Sequence, residues 1–467
     1  MYRGRIKKIH FVGIGGSGMN GIAEVLLNMG YEVTGSDIAR SATVKRLTGL
    51  GATVHIGHRQ ENVRGVQCVV YSSAISKDNP ELLAAMAENI PIIPRAEMLA
   101  ELMRLKYGIA IAGTHGKTTT TSLIAAILGG TDLDPTVVTG GKLNSLGANA
   151  CLGKGDLLVA EADESDGSFL QLTPTMAIVT SIDREHMNHY QSMDEVYDAY
   201  LGFMNKVPFY GAAILCLDHP VIQGLLPRVT RRVITYGLSA QADVRGANPG
   251  YDGIRTSFDI FAGDAELGEV TLRLPGAHNV QNALAAVAVA LELDIGFEAI
   301  KKGLESFSGV ERRFHLRGHI GGITVVDDYG HHPEEVKAVL QGAKQSFNKR
   351  IVAVFQPHRY SRTADLFKDF QTAFNDVDTL VVTDIYAAGE EPVEGIDGFA
   401  LYEAIKEHGH KDVTYIKEVA RVPEYLKGLV HSGDLVITLG AGDIWKAGTG
   451  LIELLEKDEK ARHLKVL

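Results

Sequence analysis

The sequence predicts an α/β protein of three domains, each built on a mainly parallel sheet. Its 467 residues exceed what one hydrophobic core can organise. Short apolar runs alternate with helix-like stretches, which is typical of doubly wound sheets. Two of the apolar runs lead directly into glycine-rich turns, at residues 13–18 and 113–116. We expect Rossmann-like domains at residues 1–106 and 314–467, and a central P-loop ATPase-like domain with a β excursion at residues 107–313.

The first domain opens with a predicted strand at residues 9–13, which runs into Gly13-Ile14-Gly15-Gly16-Ser17-Gly18. A helix at 19–29 and a strand at 32–35 follow, and Asp37 comes 19 residues after Gly18. Such a turn lets phosphates approach the backbone, and the acid binds a ribose. The pattern indicates NAD(P), but the same geometry suits any diphosphate attached to a ribose, including a UDP-sugar.

Two further strands are predicted at residues 53–56 and 68–71, and Ser72 follows the second of them. A serine at a strand end of a doubly wound sheet can contact a ligand. It can equally cap the next helix. Both interpretations stay open on the sequence alone.

The central domain begins at the most informative stretch of the chain, Ala112-Gly113-Thr114-His115-Gly116-Lys117-Thr118-Thr119-Thr120. An apolar strand precedes it and a helix is predicted after it. Backbone N–H groups and the helix N-terminus can cradle phosphates, with Lys117 on the terminal phosphates and Thr118 on Mg²⁺. The general G-x-x-x-x-G-K-[ST] pattern would need glycine where Ile111 stands, so this loop is a shorter G-x-x-G-K-T.

Acidic and histidine side chains follow the next two predicted strands of this domain. The strand at 156–160 ends in Glu161-Ala162-Asp163-Glu164-Ser165-Asp166, where oxygen ligands for Mg²⁺ are expected. The strand at 176–180 leads to His186. A single loop histidine is usually only a hydrogen-bonding residue, and its place beside the nucleotide strands shifts the balance towards a site. Residues 211–274 are expected to form the β excursion. Asn279 and Asn282 open a helix, where they could cap it or read an adenine edge.

The third domain repeats the alternation, with strands predicted at 324–326, 351–355, 379–383, 413–416 and 435–439. Their ends carry Asp327-Asp328-Tyr329-Gly330-His331-His332-Pro333 and Gln356-Pro357-His358-Arg359-Tyr360-Ser361-Arg362. Ligands bind at such carboxyl ends. Arg359 and Arg362 could clamp a carboxylate or phosphate, or could form surface ion pairs of little energy.

The charge, cysteine content and hydropathy of the sequence argue against nucleic-acid-binding, metal-binding-cysteine and membrane-spanning proteins. The net charge of −11 and the pI of about 5.9 argue against nucleic acid as a partner. The three cysteines fit no metal spacing and indicate core residues in a reducing cytoplasm. No apolar run approaches the roughly 18 residues of a membrane span, and no signal core follows the basic N-terminus. We therefore expect a cytoplasmic protein without a membrane or nucleic-acid partner.

A dinucleotide-like site, an ATP loop and a basic strand-end cluster in consecutive domains point to a ligase. ATP would phosphorylate a carboxylate, and an amine would then displace phosphate from the acyl phosphate, with catalysis mostly by positioning and charge neutralisation. An NAD(P) oxidoreductase and a nucleotide-sensing module without chemistry remain alternatives.

These motifs, in this order and over essentially the whole chain, resemble the Mur ligases of peptidoglycan synthesis. The resemblance implies ligation of L-alanine to UDP-N-acetylmuramate with ATP and Mg²⁺ at two sites, and hence a role in cell wall biogenesis, cell shape and cell division. It also implies a monomer or weak homodimer. Siblings that add later residues carry a modified lysine after the histidine loop, whereas here the first lysine is Lys206. A relative that ligates a whole tripeptide shares much of the pattern and remains the main alternative.

The resemblance also implies roles for individual residues. UDP-sugar would be held by Gly15, Gly16, Ser17, Asp37, His58 and Ser72. ATP would be held by Gly113, Thr114, His115, Gly116, Lys117, Thr118, Thr119, Asn279, Asn282, Asp328 and His331. Mg²⁺ would be held by Thr118, Glu161 and His186. Catalytic roles would fall to Lys117, His186, Arg313, His358, Arg359 and Arg362.

Overall fold

The computed structural model describes residues 6–72, 74–143, 148–151, 153–187 and 189–466. Side chains are described for these residues except 17, 140–143, 148–151 and 461–466. The chain divides into two compact units. The first comprises Met1–Ala247, Asp259–Val270 and Gln281–Ser308, and the second comprises Asn248–Phe258, Thr271–Val280 and Gly309–Leu467.

The first sheet has five parallel strands in the order β3-β2-β1-β4-β5. This order brings the turns after β1, β2 and β3 to one edge, as in a dinucleotide-binding fold. The strand β1 is apolar and almost wholly buried, as the sequence predicts. The elements are β1 (Lys8–Val12), α1 (Ser17–Asn28), β2 (Glu32–Asp37), α2 (Ala42–Gly49), β3 (Thr53–Ile56), β4 (Cys68–Tyr71), α3 (Pro80–Ala87), β5 (Ile92–Pro94) and α4 (Arg95–Arg104).

The second sheet has ten strands in the order β15-β14-β13-β12-β11-β10-β6-β9-β7-β8. The strand β6 lies between β10 and β9 and is parallel to both, so the phosphate loop after it has a strand end on either side. The elements are β6 (Tyr107–Ala112), α5 (Lys117–Leu128), β7 (Thr136–Leu143), β8 (Ala148–Cys151), β9 (Leu157–Glu161), β10 (Met176–Val179), α6 (Met193–Met204), β11 (Ala212–Cys216), α7 (Pro220–Leu225), β12 (Val233–Gly237), β13 (Val244–Asp252), β14 (Arg255–Ala262), β15 (Ala265–Leu272), α8 (Ala277–Glu292) and α9 (Phe297–Ser306).

The predicted β excursion at residues 211–274 begins later than expected. The strands β11 and β12 continue the parallel sheet, since β11 pairs with β10 and β12 pairs with β11, both in parallel. All five residues of β11 are buried, so this strand belongs to the core. Only β13, β14 and β15 follow one another through short turns. Residues 211–274 show strands and turns throughout, and the partner of each strand is decided only when the sheet forms.

The third sheet has the order β16-β17-β21-β18-β19-β20, with β16 antiparallel to β17 and the others parallel. Its elements are β16 (His315–Ile320), β17 (Ile323–Asp328), α10 (Pro333–Ser346), β18 (Ile351–Phe355), α11 (Tyr360–Asp365), α12 (Phe367–Phe370), β19 (Thr379–Val382), α13 (Gly398–Glu407), β20 (Val413–Tyr415), α14 (Val422–Leu429), β21 (Leu435–Leu439) and α15 (Trp445–Val466). The edge strand β16 was not predicted, because its polar residues give no apolar run.

Two of the three cysteines are core residues, as the sequence predicts. Cys68 and Cys216 are free and buried, as expected of core residues, whereas the side chain of Cys151 lies outside those described. Among the described residues, no helix has both the length and the apolar character that crossing a bilayer requires.

Candidate nucleotide and substrate sites

The first glycine loop joins β1 to α1, and the end of β2 holds it in place. Gly15 donates its N–H to Asp37 Oδ2 at 2.8 Å, and the N–H groups of Gly13 and Ile14 both donate to the Ser36 carbonyl. Gly16 is the exposed residue before α1, and Ser17 begins that helix. The loop therefore presents a helix N-terminus next to an acid, which is the arrangement that suits a diphosphate attached to a ribose.

His58 and Ser72 lie on either side of this loop. His58 follows β3, and its Nδ1 is 2.9 Å from Ser36 Oγ and 3.1 Å from Glu81 Oε2. The backbone N–H of Gly57 donates to the Asp37 carbonyl at 2.8 Å, which ties the His58 turn to the end of β2. Ser72 is half-buried directly after β4, the neighbour of β1. The structure thus brings the predicted UDP-sugar residues to one edge of the first sheet.

The phosphate loop after β6 has the backbone shape that only glycine adopts easily. Gly113 has φ +140° and Gly116 has φ +83°. A β-carbon at Gly113 would collide with Thr180 Oγ1, and one at Gly116 would lie 2.5 Å from Asn282 Oδ1. Gly116 precedes α5, whose first residue is Lys117. The loop is therefore a tight turn onto a helix N-terminus, as the sequence predicts.

Hydrogen bonds to the end of β10 fix the middle of this loop. Thr114 donates its N–H to the Ser181 carbonyl at 3.0 Å, and His115 donates its N–H to Ser181 Oγ at 2.9 Å. His115 Nε2 lies 3.1 Å from Asp183 Oδ2. Burial raises the pKa of Asp183, but hydrogen bonds from His115 and His219 outweigh burial and hold it well below its usual value. The Asp183 carboxylate therefore anchors the loop.

Lys117 is held by a carboxylate that the sequence analysis did not single out. Its Nζ donates to Glu164 Oε1 at 2.7 Å, to the Thr114 carbonyl at 3.3 Å and to the Gly113 carbonyl. Burial raises the pKa of Glu164 to about 7, although Lys117 lowers it. Glu164 Oε2 is buried and accepts no hydrogen bond within the described part of the chain. The lysine and this carboxylate form a buried polar pair at the base of the loop.

The three predicted Mg²⁺ ligands occupy the ends of three neighbouring strands. Thr118 lies in the first turn after β6, Glu161 ends β9, and His186 follows β10 with φ +59°. Glu161 accepts a hydrogen bond from Thr139 Oγ1, and His186 Nε2 lies 3.7 Å from Glu164 Oε1. No three His, Cys, Asp or Glu side chains cluster as a metal site in the residues for which side chains are described. The predicted set, with one hydroxyl, one carboxylate and one imidazole, stays a prediction.

The two predicted adenine-reading asparagines make different contacts. Asn282 is buried, accepts a hydrogen bond from Thr120 Oγ1 at 3.2 Å and lies against Gly116. Asn279 is also buried. Its Nδ2 donates to the Pro275 carbonyl at 2.8 Å and lies 3.0 Å from His278 Nε2. Asn282 therefore supports the phosphate loop, and Asn279 ties the first turn of α8 to the segment before it.

In the second unit, Asp328 ends β17 and is almost fully buried. Its two oxygens accept N–H groups from Phe314 and Gly330, each at 2.7 Å. Burial raises the pKa of Asp328 to about 6 despite these hydrogen bonds. His331 is the third residue after Asp328, and its backbone N–H donates to Glu335 Oε2 at 3.0 Å. Asp328 thus shapes the turn that positions His331.

The predicted alanine-site residues gather after β18. Arg362 Nη1 lies 3.2 Å from His358 Nδ1, and the His358 ring stacks on Tyr386 with centroids 5.6 Å apart. A guanidinium can only donate, so His358 Nδ1 accepts. Burial, together with the nearby His331 and Arg362, lowers the pKa of His358 to about 4. His358 is therefore neutral at pH 7 with its proton on Nε2.

The other two predicted arginines of this unit lie beside glutamates. Arg359 has φ +71°, and its Nη1 is 4.0 Å from Glu390 Oε1. Arg313 Nη1 is 3.7 Å from Glu335 Oε1, and its guanidinium lies over the Tyr329 ring at 5.4 Å. Glu335 also accepts a hydrogen bond from the backbone N–H of His331, so this carboxylate links the Arg313 segment to the turn after β17.

Profiles of known families match all three parts of the chain. The profile described as "Mur ligase family, catalytic domain" matches residues 8–107, "Mur ligase middle domain" matches 111–290, and "Mur ligase, glutamate ligase domain" matches 312–442. The chain belongs to the Mur ligase family. The predicted family and its three-domain α/β fold are thereby confirmed, while the predicted domain boundaries stay a prediction.

Individual Mur ligases match along nearly the whole chain. A UDP-N-acetylmuramate–L-alanine ligase of Pelobacter propionicus is 58% identical, covering 97% of this chain and 99% of that relative. One of Geotalea uraniireducens is 57% identical with coverages of 97% and 99%. The solved UDP-N-acetylmuramate-alanine ligase of Thermotoga maritima superposes with a TM-score of 0.79 at 29% identity, covering 97% of this chain and 99% of that one.

Several residues that build these Mur ligase sites escaped the sequence reasoning. Glu164 lies in the acidic run at 161–166 and Asp183 lies between β10 and His186, but nothing in the sequence shows which acid becomes buried. Glu335 completes a capping box with His332 at the start of α10, a signal that His332-Pro333-Glu334-Glu335 does carry. Glu81 gave no signal, because its role depends on residues distant in the chain.

Proposed function

We propose that this protein joins L-alanine to the carboxylate of UDP-N-acetylmuramate at the expense of ATP, giving ADP, phosphate and UDP-N-acetylmuramoyl-L-alanine for peptidoglycan synthesis. The observation that carries the proposal is the set of relatives at 55 to 58% identity over 96 to 98% of the chain, all named for this ligation. The protein is thus a ligase that forms an amide bond.

The chemistry follows in two steps. A carboxylate oxygen of UDP-N-acetylmuramate attacks the γ-phosphorus of ATP, the bond to ADP breaks, and an acyl phosphate forms. The alanine amine then attacks the acyl carbon, phosphate leaves, and the amine loses a proton. Both steps depend on holding anions close together, so binding groups and neutralising charge account for most of the catalysis.

We assign the UDP part to the first sheet. Gly15, Gly16 and Ser17 open α1, where N–H groups and the helix dipole favour a diphosphate. Asp37 lies within hydrogen-bond distance of the same loop and is the group for a ribose hydroxyl. His58 and Ser72 flank the loop after β3 and β4. The support is that all of these positions share one sheet edge.

We assign the ATP phosphates to Gly113, Thr114, His115, Gly116, Lys117, Thr118 and Thr119, which form the turn and first helical turn after β6. Lys117 supplies the positive charge for the terminal phosphates, and it can exchange its contacts with loop carbonyls for phosphate oxygens. Asn279 and Asn282 with Asp328 and His331 are proposed for the adenine and ribose. Arg313 is proposed for the γ-phosphate, because its guanidinium can donate hydrogen bonds to phosphate oxygens and carries a permanent positive charge.

The residues at the ends of β6, β9 and β10 fit Mg²⁺ in part. Hydroxyl and carboxylate oxygens, as in Thr118 and Glu161, are the donors that this hard cation prefers, whereas the imidazole of His186 is a poorer match. The buried Oε2 of Glu164, which accepts no hydrogen bond from the described residues, adds an oxygen at the same edge. When bound, Mg²⁺ neutralises phosphate charge. We propose Thr118 and Glu161 for one site and His186 for a second.

The amino acid is assigned to the turn after β18. Arg359 and Arg362 provide guanidinium groups for the alanine carboxylate. His358 is neutral, so it adds no repulsion to an incoming ammonium group, and its Nε2 is the protonated ring nitrogen. We also propose that the protein acts in the cytoplasm as a monomer or weak homodimer.

The deciding experiment measures phosphate release from ATP and Mg²⁺ with UDP-N-acetylmuramate, adding L-alanine, the tripeptide L-alanyl-γ-D-glutamyl-meso-diaminopimelate, or neither. We expect release with alanine alone among the three mixtures, with the amide product confirmed by mass spectrometry. Release with the tripeptide alone would move the function to recycling. Release in no mixture would refute ligation.

A further inference from the structure

Glu81 is a fully buried carboxylate in the first domain to which the proposed function gives no role. It is the second residue of α3, where its N–H donates to Asn79 Oδ1 at 2.9 Å. Its side chain reaches the ends of β2 and β3, next to the first glycine loop. Because burying a carboxylate is costly unless it is fully hydrogen-bonded, the position calls for an explanation.

Both oxygens of Glu81 accept hydrogen bonds. Oε1 accepts from Asn62 Nδ2 at 2.5 Å, with His10 Nε2 at 3.7 Å. Oε2 accepts from Ser36 Oγ at 2.5 Å and lies 3.1 Å from His58 Nδ1. Burial raises the pKa of Glu81, but the nearby His10 and hydrogen bonds from Ser36 and Asn62 outweigh it and lower the pKa to about 2. The group is therefore an anion that can only accept hydrogen bonds.

This arrangement decides where the proton of His58 lies. Its Nδ1 faces the Glu81 carboxylate at 3.1 Å and Ser36 Oγ at 2.9 Å. The carboxylate cannot donate, and the Ser36 hydroxyl gives its own proton to Glu81. Nδ1 must therefore carry the hydrogen. In the neutral imidazole, Nε2 is then left with a lone pair and acts as an acceptor.

The Nε2 atom is available to a ligand. Within the described part of the chain, His58 makes its hydrogen bonds through Nδ1, and its side chain is 16% exposed. The residue follows β3, at the edge where Gly15 meets Asp37. A phosphate at neutral pH has no hydrogen to offer this acceptor. The nucleoside and the sugar of the ligand carry such hydrogens, and the imide N–H of uracil is one of them.

We propose that Glu81 is a positioning residue that holds His58 as an acceptor for the imide N–H of uracil, so that the site takes uridine nucleotides and rejects cytidine nucleotides. The proposal rests on the proposed binding of a UDP-sugar at this loop. The ribose is accounted for by Asp37, which leaves the base for His58. Cytosine presents a lone pair at the ring nitrogen where uracil presents N–H, so two acceptors would face each other without a hydrogen.

The test is calorimetric binding of UDP, CDP and 2′-deoxy-UDP to the full-length protein. Because His58 Nε2 would be left as an unpaired buried acceptor, the wild type should bind CDP about 10- to 100-fold more weakly than UDP. In Glu81→Gln the amide can donate to Nδ1, which lets the proton move to Nε2. We expect the affinity of this variant for UDP to be about 10-fold lower, and the ratio of its affinities for UDP and CDP to fall towards one.

Glu24→Gln is the matched control, because Glu24 is another buried glutamate of this domain, paired with Arg46 at 2.6 Å and outside the Glu81 cluster. It should keep the wild-type ratio. If Glu81→Gln binds UDP and keeps the wild-type ratio of affinities for UDP and CDP, the proposal is overturned. So would a Glu81-dependent loss that disappears with 2′-deoxy-UDP, since the donor would then be a ribose hydroxyl.

A measurement on the wild type keeps the proposal testable if Glu81→Gln does not fold. Nitrogen NMR of histidine-labelled protein, with the His58 signals identified from His58→Gln, reports which ring nitrogen is protonated. We expect hydrogen on Nδ1 and a lone pair on Nε2, and the opposite tautomer would refute the mechanism. Absence of UDP binding by the wild type would instead refute the proposed function, so the two failures are distinguishable.

Discussion

Lys117 Nζ lies 2.7 Å from Glu164 Oε1, joining the phosphate loop after β6 to the acidic segment after β9. The Glu164 side chain is 5% exposed, and His186 Nε2 approaches the same oxygen at 3.7 Å. A lysine and a carboxylate from separate strand ends thus share one buried position. This pairing keeps the lysine at the loop and makes its environment dependent on the charge of Glu164.

Replacing Lys117 by alanine should lower turnover by about 10³-fold or more, because it removes the positive charge that faces the transferring phosphoryl group. The measurement is phosphate release at saturating substrates, with circular dichroism to confirm that the variant is folded. Lys301→Ala, on the exposed face of α9, is the control and should keep wild-type turnover. Wild-type turnover in Lys117→Ala would remove the lysine from the proposed mechanism.

Glu164 should make stability depend on pH in a defined direction. Burial raises its pKa in the folded protein to about 7, above the ordinary 4.5, so the folded state binds more protons between these values. The contribution of Glu164 to the free energy of unfolding is therefore fully present below about pH 4.5. It is lost as the pH rises towards 7, which lowers the free energy of unfolding by roughly 3 kcal/mol. Urea unfolding of the wild type and Glu164→Gln across this range should show that the variant lacks this loss. Parallel pH profiles for the two proteins would contradict the assignment.

The left-handed backbone of Gly116 should make its replacement costly. In Gly116→Ala the methyl group would meet Asn282 Oδ1 at 2.5 Å at a residue with φ +83°. We expect a loss of about 1 to 3 kcal/mol in the free energy of unfolding and at least 10-fold weaker ATP binding. Gly224→Ala on α7, where a β-carbon has no neighbour within 4 Å, should be neutral or slightly stabilising. Equal effects at both glycines would show that the loop geometry is unimportant.

Arg362→Lys should selectively weaken the use of alanine. Lysine keeps the charge but loses the planar fork that can hold both a carboxylate and His358. Steady-state kinetics should show a KM for L-alanine raised by about 10- to 100-fold with the KM for ATP little changed. Arg421→Lys, at an arginine whose side chain is 76% exposed, is the control. A change in the KM for ATP alone would move Arg362 out of the amino-acid site.

Much of the fold followed from local patterns. The strands β3, β4, β18 and β21 have the predicted bounds, because each is a short apolar or β-branched run with clear breaks on both sides. The stretch at 360–370, whose sequence suits a continuous helix, instead forms the two short helices α11 and α12, separated at Leu366. Leu366 is buried with φ −111°, so packing against the sheet overrides the helical pattern there.

The neighbouring arginines Arg312 and Arg313 show why site assignment was only partial. Arg312 Nε lies 3.1 Å from the buried Asp327, and its Nη2 donates to the Gly440 carbonyl at 2.5 Å, so it braces β17 against the turn after β21. Arg313 lies beside Glu335 instead, while the guanidinium groups of both arginines lie over the Tyr329 ring. Both side chains are half-buried, and the sequence does not reveal which carboxylate each of them pairs with.

The sequence by itself determined the fold class, the two glycine loops and the order of the strand-end motifs. These are local properties, since a tight turn needs glycine at set positions and a buried strand needs a continuous apolar run. Only the tertiary structure decided that Glu164 holds Lys117, that Asp183 anchors His115 and that Glu81 fixes the proton of His58. Those relationships depend on burial and on distances between residues far apart in the chain. The energy of a carboxylate depends on how much water it loses and which donors surround it, and both are set only when the strands pack side by side.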